Sequence, residues 1–183
     1  MRIAVTSGLL ALALAMAWPM AAANEDTELD PATIDLVKLI ECQTYDVPAY
    51  NTFAFWLAGE DEAKARKHLG LTEAESPNPF LKEYRLAAPI TVFGRKTDRI
   101  VFTSSGPLAV LDEADPHVLA KALKIEPAID IPGKYLGERV IAEKTEKLTG
   151  GSTFSTRITL NVSTVTSHPG KTLAGCSYRL DVE

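Results

Sequence analysis

Cysteine is nearly absent from this chain: two in 183 residues, Cys42 and Cys176. That excludes a cysteine-rich scaffold and an all-thiolate zinc site. Histidine is scarce too, with only His68, His117 and His168. None stands at ligand spacing from another histidine or from a cysteine, so neither a metal nor another cofactor is expected, and each reads as a surface residue. Basic charge is the minority sign, with 19 Lys and Arg against 24 Asp and Glu and a net charge of −5. No basic cluster occurs, which makes nucleic acid and anionic membranes poor partners. There is no Gly-rich phosphate loop and no Gly-x-Ser-x-Gly, and Ser104-Ser105-Gly106 is an ordinary turn sequence. No catalytic set is expected.

Long apolar runs are lacking except at the start. Arg2 precedes the uninterrupted apolar stretch Leu9 to Trp18, Pro19 breaks it, and Ala21-Ala22-Ala23 supplies small residues. The stretch is too short for a membrane span, which takes about 20 residues. The pattern is that of a secretory signal peptide over 1–23, cut before Asn24, leaving a periplasmic or secreted protein with no stable membrane insertion. In that compartment Cys42 and Cys176 are expected to pair, stapling early and late segments of the chain. Two thiols without a neighbouring histidine make a poor zinc site.

What the chain does contain is strand. Tyr84, Leu86, Ala88, Ile90 and Val92 alternate with mostly polar neighbours. Ile100 to Phe102 and Leu108 to Leu111 are short apolar runs, expected as strands buried on both faces, with breaks at 94–98 and 104–107. Further on, Tyr135 to Glu143 is the least regular of three long strands. Phe154, Ile158, Leu160 and Val162 alternate with Arg157 and Asn161, while Cys176, Tyr178, Leu180 and Val182 alternate with Ser177 and Arg179. These are half-buried antiparallel strands with one wet face. Arg157, Asn161 and Arg179 on that wet face are the candidate binding residues. Gly150-Gly151 and His168-Pro169-Gly170 are the expected turns.

Helices flank these strands. Asp30-Pro31 opens one over Ile34 to Ile40, Asp46 caps a second with Pro48 in its first turn, and Gly59 ends it. The aromatic group Tyr50, Phe53, Phe55 and Trp56 is expected in the core. A polar helix follows over 60–69, stopped by Gly70. Asp115-Pro116 opens another. The segments 72–79 and 126–133, rich in proline, read as loop and linker. The acidic cluster Asp112, Glu113 and Asp115 is expected to be a solvated loop with Asp115 capping, and its alternative is a carboxylate pair or calcium site.

The expectation is one α+β domain over 24–183: N-terminal helices packed on antiparallel β-meanders with one disulfide. Helices and a meander (31–112) are followed by a helix and a meander (115–182). That order is similar to small exported binding folds such as the β-lactamase inhibitory proteins and the related outer-membrane assembly lipoproteins. No shared motif residue accompanies the similarity, so it implies no function. The functional expectation is an exported, non-catalytic binding protein, an inhibitor or immunity-type partner of another envelope or secreted protein. The rivals are a carboxylate-based hydrolase and a carrier of a small apolar ligand. A cleft with convergent polar groups favours the first, and a closed apolar cavity the second.

Overall fold

The computed structural model describes residues 29–147 and 152–182. The segment 1–23, expected to be a signal peptide, and the turn expected at Gly150-Gly151 lie outside the described residues. Four α-helices accompany one eight-stranded antiparallel sheet: α1 (Leu36–Ile40), α2 (Val47–Ala58), α3 (Glu62–Leu69), β1 (Leu71–Ala74), β2 (Lys82–Val92), β3 (Arg95–Phe102), β4 (Pro107–Leu111), α4 (Pro116–Ala122), β5 (Pro127–Ile131), β6 (Lys134–Lys147), β7 (Thr153–Ser163) and β8 (Thr172–Val182). The helices are not all N-terminal, since α4 lies between the two runs of strands. Nor are the meanders separate. The sheet order is β1-β2-β3-β4-β8-β7-β6-β5, so β4 and β8 join two four-stranded meanders back to back.

The caps are the ones the sequence offers. The Asp46 side chain accepts from the Ala49 N–H, Asp115 accepts from the His117 N–H, and Gly70 closes α3 in the left-handed region. The first helix is broken where one run was expected. Asp30 caps a single 3-10 turn, Pro31–Thr33, Ile34 is extended, and Asp35 caps α1 afresh through the N–H groups of Val37 and Lys38. A second aspartate able to bond the backbone ahead of it competes with helix continuation at that point.

The two edge strands overlap the segments expected to be loop and linker, while 75–79, with Pro77 and Pro79, is loop as expected. Leu71–Ala74 pairs with Glu83–Leu86, and Pro127–Ile131 pairs with Lys134–Gly137. Pro127 is tolerated as the first residue of β5, an edge strand that leaves alternate N–H groups unpaired, and Pro132 falls in the turn that follows. The break expected at 94–98 shrinks to a two-residue turn. Phe93 and Gly94 both have positive φ, 51° and 73°, between Val92 and Arg95. That is the backbone of a tight hairpin turn, and the Phe93 N–H is held by the Glu41 carboxylate at 2.6 Å.

Strand β4 is buried on both faces, as its apolar run implies. Ala109 and Leu111 join the main core with Leu39, Ile40, Phe53, Ile100 and Tyr178. Leu108 and Val110 join a smaller cluster with Val101 and Leu173 on the opposite face. The two meanders meet very closely at this seam. A Cβ on Gly175 would lie 2.2 Å from the Pro107 carbonyl oxygen and 2.8 Å from the Leu108 Cα. Gly175→Ala should therefore cost about 1–3 kcal/mol or more through overpacking, read from urea unfolding. A loss near zero would mean that β4 and β8 separate without penalty.

The disulfide is formed between Cys42 and Cys176, with Cα atoms 5.2 Å apart. It stands at the end of α1, where Cys42 takes a positive φ of 56° and so leaves the helix. Beside it the Tyr178 hydroxyl donates to the Leu39 carbonyl at 2.8 Å, and Tyr50 stacks on Tyr178 at 4.8 Å. Burial raises the Tyr50 hydroxyl to about 12 and pushes Tyr178 up as well, so both stay neutral.

Candidate functional site

The face of the sheet turned away from the disulfide is half covered and half open. The covered half lies over β2, β3, β4 and the start of β8. There the loop 164–171 between β7 and β8 folds back, and Val165 packs on Val101, Leu108, Val110 and Leu173. His168 goes deeper than a turn residue would. It is 3% exposed, and its Nε2 meets the Glu83 Oε2 at 3.0 Å. Glu83, itself 2% exposed, accepts from the Arg99 Nε at 2.7 Å and from its Nη2. The expectation of three surface histidines thus fails at His168. A buried carboxylate needs partners for its charge, and the loop histidine supplies one from the far end of the chain. Lys171 pairs with Asp112, and the Thr172 hydroxyl donates to the Glu113 carbonyl at 2.7 Å, tying the loop down at its other end.

The open half is carried by β6, β7 and β8. In the strand register Arg157 lies directly opposite Arg179, and Asn161 opposite Glu138 and Gly175. All of these share one face. Like charges directly opposite each other repel. Glu138 relieves this by accepting from the Nη2 of Arg157 at 3.4 Å and from the Nη2 of Arg179 at 3.2 Å, one carboxylate oxygen each. The Asn161 amide donates to the Thr159 carbonyl at 3.0 Å and to the Ser177 hydroxyl at 2.9 Å. The Arg157 Nε has no partner. Leu136 and Val140, opposite Ser163 and Thr159, border the patch at 40% and 43% exposure. The three residues singled out in the sequence are therefore neighbours. The side chain that organises two of them, Glu138, was missed. A register shift between Val140 and Ala142 hides its place from simple alternation.

A groove of about 820 Å³ opens beside α4 and the β5–β6 turn, lined among others by Asp115, His117, Asp130, Lys134, Tyr135 and His168. It is where a hydrolytic centre would be sought. His117 lies between two carboxylates, Nδ1 at 2.6 Å from Asp115 Oδ1 and Nε2 at 3.1 Å from Asp130. These bonds raise the His117 pKa, and the bonds from His117 hold the Asp115 carboxyl below its ordinary value. Both ring nitrogens are occupied, which leaves no lone pair aimed at a substrate. Asp112 is likewise lowered by its bond with Lys171, and Glu113 pairs with Arg95 at 2.7 Å. Each acid of the 112–115 cluster thus has its own basic partner. The raised carboxyl that a proton-sharing pair requires is not found at Asp112 or Asp115.

Tyr50 and Phe53 of α2 pack on the sheet, as expected of core, and Trp56 packs between Phe53 and α3. Phe53 stacks on Phe102 at 6.1 Å, Phe102 meets Tyr84 edge-on at 5.8 Å, and Trp56 meets His68 at 5.7 Å. Phe55 is the exception, at 79% exposure. Among the described residues no group of three or more His, Cys, Asp or Glu is arranged to hold a metal, and no helix is long and apolar enough to cross a membrane. No family model, curated protein or solved structure matches this chain.

Proposed function

We propose that this chain is an exported, non-catalytic binding protein, an inhibitor or immunity-type partner of another envelope or secreted protein, and that its working surface is the open half of the sheet. The observation that carries the reading is the contrast between the two halves of one face. Over β2–β4 the chain spends a loop and a buried ion network on covering the sheet. Over β6–β8 it leaves Arg157, Asn161 and Arg179 part-exposed, with apolar side chains at the border. Arg157, Asn161 and Arg179 line none of the described cavities, and preorganised arginines with an apolar margin suit a protein surface better than a small molecule, which needs a concave site. Glu138 holds the guanidinium groups in place before contact, which reduces the ordering cost of binding.

Charge reversal tests the reading. Arg157→Glu with Arg179→Glu should change stability little, since surface substitutions usually stay within about 0.5 kcal/mol. The same variant should fail to retain the partner that the mature wild-type protein captures from envelope extract. Equal retention of that partner by both proteins would place the working surface elsewhere, and a loss of several kcal/mol would show that the patch serves folding.

A further inference from the structure

Strand β6 is 14 residues long, and β5 covers only its beginning, Lys134–Gly137. Among the described residues nothing pairs with the outer edge of β6 beyond that point, and Arg139 to Lys147 is exposed throughout. Such an edge presents free N–H and C=O groups to another strand. Side-chain charge commonly blocks it, and here the order of the charges decides which strand is blocked and which is admitted.

Glu143-Lys144-Thr145-Glu146-Lys147 carries negative, positive, neutral, negative, positive side chains. Read backwards, every sign inverts. Laid antiparallel on a second copy about Thr145, Glu143 faces Lys147, Lys144 faces Glu146, and Thr145 faces itself. A continuous sheet about a two-fold axis requires opposed residues to share a face, so the central residue must oppose itself. The neighbouring registers allowed by that rule fail. Centring on Glu143 or Lys144 sets like charges face to face, centring on Ala142 opposes Glu138 to Glu146, and centring on Glu146 opposes Glu146 to itself. Centring on Ile141 matches charges, but the register shift between Val140 and Ala142 lies at its centre and disrupts the ladder. From Ala142 to Lys147 the strand is regular against β7.

We propose that this edge is the docking site for a second copy of the same chain, paired antiparallel about Thr145. The Lys144–Glu146 ion pair, 2.5 Å within one chain, is exchanged for two between chains. Glu143, Thr145 and Lys147 oppose Arg157, Ser155 and Thr153, so they lie on the open face. The dimer sets two open faces side by side in one extended sheet. Five residue pairs make a small contact of the weak, transient class, below about 1,200 Å². Its ion pairs are exposed, so association weakens with salt.

Sedimentation of the mature protein over a wide concentration range tests this. The wild type should dimerise at high concentration and low salt. Lys144→Glu with Lys147→Glu, and separately Glu143→Lys with Glu146→Lys, should each weaken dimerisation at least tenfold, with the melting temperature unchanged in the first and slightly lowered in the second, where the new charge faces Arg157. An equal mixture of the two variants should dimerise again, because every pair is then opposite in sign. Thr145→Cys should give a disulfide-linked dimer under oxidation, and Ile141→Cys should not. A wild type that stays monomeric throughout, a mixture that stays monomeric, or linkage through Ile141→Cys in place of Thr145→Cys would overturn the proposal.

Discussion

Glu83→Ala should destabilise the protein by about 3 kcal/mol, the lower part of the range for removing one partner of a buried ion pair. Glu83 is almost fully buried, between Arg99 from the adjacent strand and His168 from the β7–β8 loop. Removing it leaves His168 without a partner at its Nε2 and Arg99 without its carboxylate. Arg99 keeps 28% side-chain exposure, so water recovers part of the loss and the upper part of the range is not reached. Coupling between Glu83 and His168 should appear in a double-mutant cycle as about 0.5–3 kcal/mol. The loop should also loosen, because His168 is its deepest anchor, and amide exchange over 164–171 should accelerate in Glu83→Ala. A change within about 0.5 kcal/mol, typical of a surface site, would mean that the loop does not depend on this network.

Loss of the disulfide should be of similar size. It closes a loop of sequence separation 134, for which chain entropy gives about 5 kcal/mol at most, with measured losses for native disulfides of about 2–5 kcal/mol. Cys42→Ser, Cys176→Ser and the double variant should show the same loss, because each removes the one bond. Reductant should reproduce that loss in the wild type and leave the double variant unchanged. The fold should survive, since the Tyr50–Tyr178 stack and the bond from Tyr178 to the Leu39 carbonyl still hold α1 and α2 to β8. Two reactive thiols in the native protein, unfolded without reductant, would contradict the staple.

The sequence displays the alternating strands well, because their register is written in side chains every second residue. Ile158, Leu160, Val162, Cys176 and Tyr178 all face the core as their spacing implies. Leu180 and Val182 follow the same alternation yet are 45% and 65% exposed, because alternation assigns a face and not the extent of whatever covers it. The edge strand β1 was missed because four residues are too short to show alternation, and β5 because Pro127 opens it and Pro132 follows it. The pairing of the two meanders through β4 and β8 leaves only an indirect trace, Gly106 and Gly175 at the seam where a Cβ would strike the neighbouring backbone. Glu83, Arg99 and His168 meet across 85 residues of sequence, and no local pattern reports such a meeting. Arg157, Asn161 and Arg179 share one face as their spacing implies, because positions on regular strands are local information. Glu138 was not, because its strand is bulged.

Site-specific photo-crosslinking in envelope extract tests the central claim most directly. A photoreactive residue placed at Arg179, on the open face, should yield one discrete adduct with another protein. The same residue placed at Asp130, beside the groove, should yield none. An adduct from Asp130 with none from Arg179 would contradict the account and move the working surface to the groove.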